Sequence, residues 1–228
     1  MNNFFIPTQS PEDWKSFLAD PKHWKTGYSA RSLAYCWQEA KGFPEDVKKI
    51  FNESRLDAFK DIEILLGFLE HKVSLQGGLR ASQNDIFILA KSANGMVAVA
   101  VEGKVAEHFG DTVAVWRLKR DEKTNKDKRL EFLLELLKLQ SKPIEQIRYQ
   151  LLHRTASAII EAKRFNIKNA LVLIHSFSQS YEHFEDYFDF LALFKLTARK
   201  DALVGSIDID GINLYFGWVK GDKKFLTK

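Results

Sequence analysis

Cysteine is nearly absent from this chain: Cys36 is the single one among 228 residues. No internal disulfide can form and no zinc site can be built from cysteines, so a reducing, cytoplasmic setting is expected. Long hydrophobic runs are also missing; the longest uninterrupted apolar stretch covers residues 96–101, too short to span a bilayer. The opening residues, Met-Asn-Asn-Phe-Phe-Ile-Pro, lack a basic stretch followed by an apolar one, so neither export nor a membrane partner is expected. Neither charge sign dominates, since 34 Lys and Arg against 30 Asp and Glu leave a net charge of +4. That balance permits a polyanionic partner without requiring one. What is present is a 45% hydrophobic, 13% aromatic composition, which excludes disordered, collagen-like and disulfide-scaffold classes and leaves a globular α/β chain to be organised.

A single domain over 1–228 is expected, made of a helical extension (1–52), a core (55–176) and a C-terminal helix with hairpin (181–228). In the extension three helix starts stand out: Ser10-Pro11-Glu12-Asp13, Ser29 and Pro44-Glu45-Asp46, with Gly42 as a stop. Trp14, Trp24, Tyr28, Tyr35 and Trp37 crowd this stretch; core packing is the favoured reading over base stacking. Within 55–70, Leu56, Phe59, Ile62, Leu65, Leu66 and Leu69 recur at three- and four-residue spacings, which predicts an amphipathic helix, followed by a short strand at 73–75 and a stop at Gly77-Gly78.

Residues 85–91 and 96–104 are strand-like and flank Ser92-Ala93-Asn94-Gly95, a hairpin turn by its Asn-Gly chemistry. The segment 117–129 holds seven basic and three acidic residues and reads as a solvated loop. A helix over 130–139 follows, then a longer one opened by Pro143 and running to about residue 164. The continuous apolar run 170–175 predicts a buried strand, 181–194 a helix, and Asp210-Gly211 a second hairpin between 203–209 and 212–219.

Chemistry concentrates on the first hairpin. A turn at Ala93 and Asn94 sets the start of one strand opposite the end of the other, bringing Asp85 close to Glu102 and Lys104. Glu102 and Lys104 project from one strand face, with the Gly103 carbonyl between them. Two carboxylates and a carbonyl are hard oxygen ligands suited to Mg²⁺ or Mn²⁺, and a lysine beside such an ion can serve an attacking water or a phosphate. The alternative is a solvated Asp, Glu and Lys at strand ends.

These residues, Asn84-Asp85 at one strand start and Glu102-Gly103-Lys104 at the next strand's end, resemble the PD-(D/E)XK nuclease superfamily, the restriction-endonuclease-like fold. Asn84 stands where many members have proline, at a position that is not a ligand. The element order over 55–175 is similar to that superfamily's common core. The resemblance implies a mixed sheet flanked by helices, with Asp85 and Glu102 as metal ligands and Lys104 serving water and phosphate. Many relatives carry an extra glutamate on the preceding helix, and a helical wheel puts Glu63 and Glu70 at the border of the apolar stripe, with Glu63 the preferred third ligand.

On the long helix, Gln146, Gln150, His153, Arg154, Ser157 and Glu161 form one narrow polar stripe. Relatives often direct a Gln, Lys or Arg from this helix at the catalytic site. Gln150 is therefore expected to be catalytic, and Arg154 with His153 to bind substrate. The expected function is Mg²⁺- or Mn²⁺-dependent hydrolysis of nucleic acid, DNA in the first instance, by a chain for which a homodimer is admitted. The competing reading is a nuclease-like module that binds nucleic acid or a partner protein without cutting. His175-Ser176, after the buried strand, could supply a base but reads better as a structural histidine. The segment 107–111 either extends the site or simply closes the strand.

Overall fold

A computed structural model describes residues 3–119 and 124–228. Six strands form one open mixed sheet in the order β1-β2-β3-β4-β6-β5, flanked by helices on both faces, an α/β architecture as the sequence predicts. The strands are β1 (Glu63–Val73), β2 (Ser82–Ser92), β3 (Gly95–Lys104), β4 (Asn169–Ser176), β5 (Ala202–Ile209) and β6 (Ile212–Lys220). β1, β2 and β3 form an antiparallel meander, β3, β4 and β6 run parallel, and β5 returns antiparallel at the far edge. Parallel strands need both faces covered. Accordingly β4 is buried along nearly its whole length and β3 from Val97 onward.

One face is covered by α1 (Ser29–Ala40) and α2 (Glu45–Ser54), whose Leu33, Trp37, Ile50 and Phe51 pack on Ile86, Val99, Val101 and Leu173. The other carries α4 (Lys126–Leu137), α5 (Tyr149–Arg164) and α6 (Phe184–Ala192), with Leu133, Leu151, Ile159 and Phe190 against Phe87, Ala100, Val172 and Phe216. A short helix, α3 (Val113–Leu118), lies between β3 and α4. Among the described residues no helix is long and apolar enough to cross a membrane.

The three N-terminal helix starts hold, the first as a 3-10 turn over Pro11–Phe17 closed by a Ser10/Asp13 capping box. Trp14 and Trp37 are core residues, as expected of that aromatic cluster, whereas Tyr28 is exposed. Both hairpins form, and Gly95 takes the positive φ, +125°, at the end of the first turn.

Three predicted elements differ. Residues 63–73 are an edge strand and not the end of a helix over 55–70, and the short strand at 73–75 is only that strand's last residue. A bulge between Ile64 and Leu66 interrupts the two-residue alternation, so the apolar residues fall at spacings that mimic a helix. The N-terminus covers this edge: Phe5 donates its amide to the Gly67 carbonyl at 2.8 Å and Gly67 donates to the Asn3 carbonyl at 2.7 Å. A Cβ on Gly67 would lie 2.8 Å from the Phe4 ring.

The basic segment 117–129 is loop only in part. Asn125 caps α4 by accepting the Lys128 amide, which starts that helix at Lys126, while residues 120–123 lie outside the described residues. Finally, Pro143 does not open α5, which begins at Tyr149 after a bridge between Thr112 and Arg148.

Candidate functional site

The register that pairs Ile86 with Val101 sets Asp85 opposite Glu102 across β2 and β3, and the register of β1 on β2, Leu69 with Ile86 and His71 with Asn84, sets Glu70 opposite Asp85 on its other side. Three carboxylates from three adjacent strands thus line one end of the sheet. The cleft there holds about 340 Å³ and includes Glu70, Asp85, Glu102 and Lys104, with Gln150 and Arg154 from α5 on one side and Asp20, His23 and Ser29 from the N-terminal layer on the other.

Glu102 is the most heavily bonded of the three. Its Oε1 accepts from Lys104 Nζ at 2.7 Å and Gln150 Nε2 at 2.8 Å, and its Oε2 from Arg154 Nε at 2.5 Å. Burial pushes this carboxyl up, but the charges of Arg154 and Lys104 and their hydrogen bonds outweigh it and lower it to about 2. Asp85 receives only the Gly103 amide, at 2.7 Å on Oδ2. Burial, then the negative charges of Glu102 and Glu70, hold Asp85 well above the usual carboxylate range. Burial likewise raises Glu70 to about 7, against a hydrogen bond from Gln83 that favours its charge. The cluster is therefore short of positive charge on the Asp85 and Glu70 side.

The polar stripe of α5 faces inward along the sheet. Arg154 Nη1 donates to Ser82 Oγ at 3.2 Å, and Ser82 Oγ lies 2.8 Å from His153 Nδ1. Ser157 donates to Asn84 Oδ1 at 2.8 Å, and the buried Glu161 pairs with His71 at 3.3 Å. Gln146, before the helix starts, is exposed and outside this row. Burial, then the charge of Arg154, pushes His153 well below the usual imidazole value.

Asp85, Glu102, Lys104, Gln150 and Arg154 therefore meet at one place, with His153 one hydrogen bond beyond. Glu63 does not. It pairs with Lys91 beside the hairpin turn, at the opposite end of the strands, and is exposed, so it is corrected as a ligand. Glu70 takes the position the sequence reading gave to Glu63. Read as an antiparallel neighbour of β2 in place of a helix, 63–73 would have put Glu70 opposite Asp85. The sequence reading did not single out Gln83 or Ser82. Glu107 accepts from the Val105 and Ser29 amides, both at 2.7–2.8 Å, and so ties α1 to the cleft wall. The segment 107–111 does extend the site, since Glu107 lines the carboxylate cleft and His108, Phe109, Gly110 and Asp111 line an adjoining recess.

Gly77 makes room for Arg129. That buried guanidinium donates to the carbonyls of Leu75, Gln76, Gly78 and Arg80, and a Cβ on Gly77 would lie 2.5 Å from the Arg129 amide nitrogen.

A second cluster sits on the opposite layer, where ligand atoms of Cys36, Asp46 and His175 lie within 4.8 Å of one another. Hydrogen bonding accounts for it. The Trp37 indole donates to His175 Nδ1 at 3.1 Å, so the ring's proton is on Nε2, which faces Asp46 Oδ2 at 3.3 Å. That tautomer leaves neither ring nitrogen a free lone pair for a metal. Burial, then Asp46, pushes the Cys36 thiol far up, away from thiolate chemistry. His175 is a structural histidine with Asp46 as the acid partner that sequence alone could not name.

A protein-family model described as a domain of unknown function, DUF6946, matches residues 7–223, nearly the whole chain, so the chain belongs to that family. No curated protein and no solved structure matches it.

Proposed function

We propose that this member of the DUF6946 family is a metal-dependent nuclease, hydrolysing phosphodiester bonds of nucleic acid, with DNA as the first substrate to test, in a reducing, cytoplasmic setting. The observation that carries the reading is the meeting of Glu70, Asp85 and Glu102 beside Lys104 at the end of a mixed sheet. Support comes also from the likeness to the PD-(D/E)XK superfamily: a meander of three strands, then a helix that crosses to a parallel fourth strand, with the acidic pair and lysine on the second and third.

The donor set fits a hard divalent ion. Asp85 and Glu70 are carboxyls that burial and their acidic neighbours push up, and a cation between Asp85 and Glu102 would bring Asp85 the direct cationic contact that Lys104 and Arg154 make with Glu102. Bound there, Mg²⁺ or Mn²⁺ would polarise a phosphate and acidify a water. Asp85 is held in place by the Gly103 amide, and Glu102 by Arg154 and Gln150, so the acidic pair is oriented by hydrogen bonds from the cleft wall. Lys104 lines the cleft beside Glu102 and would suit charge stabilisation at a metal-held water or a phosphate oxygen. Gln150 keeps its carbonyl oxygen for a water or substrate while its amide holds Glu102.

The competing reading, a module that binds without cutting, draws on one fact: Glu102 is already compensated by two cations, so the fold can hold it without a metal. Melting with and without Mn²⁺ and Mg²⁺, alongside cleavage of single- and double-stranded substrates, decides between them. The ion should stabilise the wild type by about 2.7 kcal/mol at a hundredfold excess over Kd, or roughly 2–4 °C per kcal/mol for a chain this long. Glu102→Ala should lose that rise and the cleavage, while Lys104→Ala should keep the rise and lose cleavage. A wild type with neither a metal-dependent rise nor cleavage would leave the binding module as the better account.

A further inference from the structure

Beside the carboxylate cleft lies a second recess of about 510 Å³, and Gln83, Lys104, Gln150 and Arg154 line both, so the two cavities adjoin across a shared wall. The recess differs in chemistry from the cleft. Its floor is Phe109, and its wall carries Trp116 and Tyr149, stacked with centroids 3.8 Å apart and planes 9° from parallel, with His153 4.9 Å further on. A volume in this range suits a small organic ligand more than a lone ion.

Two polar side chains in its lining stand out, Thr124 and His153. Thr124 lines the recess, and its hydroxyl is buried with no hydrogen-bond partner, an arrangement that ordinarily costs stability. His153 is the second. Arg154 can only donate to Ser82, so the Ser82 hydroxyl is free to donate to His153 Nδ1, and the ring's own N–H is on Nε2. Of the cations that line it, Arg129 is committed to four backbone carbonyls, Arg154 to Glu102 and Ser82, and Lys104 to Glu102, while Arg80 and Asp111 line it as well. Aromatic edges with neutral donors and acceptors suit a heterocyclic base better than a phosphate.

Thr124 is tied to the loop behind it: Gly78 bridges to Thr124, and Arg129 holds that loop through the Gly78 carbonyl. A base paired and stacked within an intact duplex cannot enter such a side recess, whereas one from a single strand, or one turned out of the helix, can.

The geometry points to this recess as the seat of one unpaired nucleobase next to the scissile phosphate, which makes the substrate single-stranded, or unpaired at the cleavage point. The inference rests on the phosphodiester reading of the adjoining cleft. It is tested without catalysis, by titrating the full chain in chelator with a single-stranded oligonucleotide carrying 2-aminopurine and with its duplex. The single strand should bind roughly tenfold more tightly, with quenching of the 2-aminopurine emission. Thr124→Val should weaken single-strand binding severalfold while melting no lower than wild type, since it removes an unpaired buried hydroxyl, and Thr124→Ser should restore binding.

Equal affinity for duplex and single strand would overturn the inference. So would unchanged single-strand binding and quenching in both Thr124→Val and Trp116→Leu. The two readings fail separately. Base binding in the recess with no metal-dependent cleavage sustains the recess and defeats the nuclease, while cleavage of duplex and single strand at equal rates, unmoved by Thr124→Val, does the reverse.

Discussion

Asp85 and Glu102 face one another across the β2–β3 ladder, yet the fold shifts them in opposite directions: Arg154 and Lys104 outweigh burial and pull the Glu102 carboxyl down to about 2, while burial pushes the Asp85 carboxyl well above the usual carboxylate range. The pair is a site whose charge is half completed by the fold.

Metal-free stability should carry that signature. A carboxyl whose folded pKa is raised holds its proton where the unfolded chain has released it, so stability is full at low pH and is lost as pH climbs toward the folded value. Glu70, raised to about 7, and Asp85, raised by the same cause, both act in this direction. Urea unfolding in chelator should therefore show stability falling between about pH 4.5 and about pH 7. Asp85→Asn, which can still accept the Gly103 amide, should flatten that slope and stabilise the metal-free protein at the upper end by about 1–3 kcal/mol. An unchanged slope would mean that Asp85 is ionised in the fold.

The two α5 residues on Glu102 should differ in what their loss costs. Arg154→Ala strips a buried carboxylate of a charged partner and should destabilise the protein by about 3–5 kcal/mol. Gln150→Ala removes a neutral donor and should cost about 0.5–1.5 kcal/mol. Saturating Mn²⁺ should recover part of the Arg154 deficit. Urea midpoints at matched slope measure all three, and equal costs for the two variants would remove the charge from the account.

Two glycines separate backbone strain from crowding. Gly95 has φ +125° with nothing within 4 Å of an added Cβ, whereas Gly77 has φ +85° with the Arg129 backbone 2.5 Å away. Alanine at either position should incur the positive-φ penalty of about 1–2 kcal/mol. Gly77→Ala should lose a further 1–3 kcal/mol, roughly, from overpacking. If the two variants melt together, Arg129 does not sit tightly beneath the loop.

Much of the site was legible because a hairpin has so few ways to close. Once Asn94-Gly95 fixes the turn, Asp85 must meet Glu102, and a residue two further along, Lys104, must share its face. The α5 stripe was legible for the same reason: 3.6 residues per turn put Gln150 and Arg154 in line. Glu70 was hidden because a bulge at Ile64 and Leu66 made an edge strand scan like a helix, and its cover, residues 3–5, comes from the far end of the chain. Arg129 was hidden differently. Its position in a run of charges suggests solvent, and only the missing hydrogen-bond partners of a distant loop reveal that it is buried. Asp46 and Trp37 meet His175 across more than a hundred residues, a distance no local pattern spans.

The clamp made by Arg129 also orders events in time. The carbonyls of residues 75–80 that it holds are gathered by one side chain from the start of α4, fifty residues downstream, so this loop cannot settle until that helix has docked on the sheet. The hairpin carrying Asp85 and Glu102 closes over a two-residue turn and needs no such wait. Amides of the hairpin and amides around the recess consequently belong to different cooperative units, and fluctuations that undock α4 would dissolve the aromatic recess while leaving the carboxylates in register.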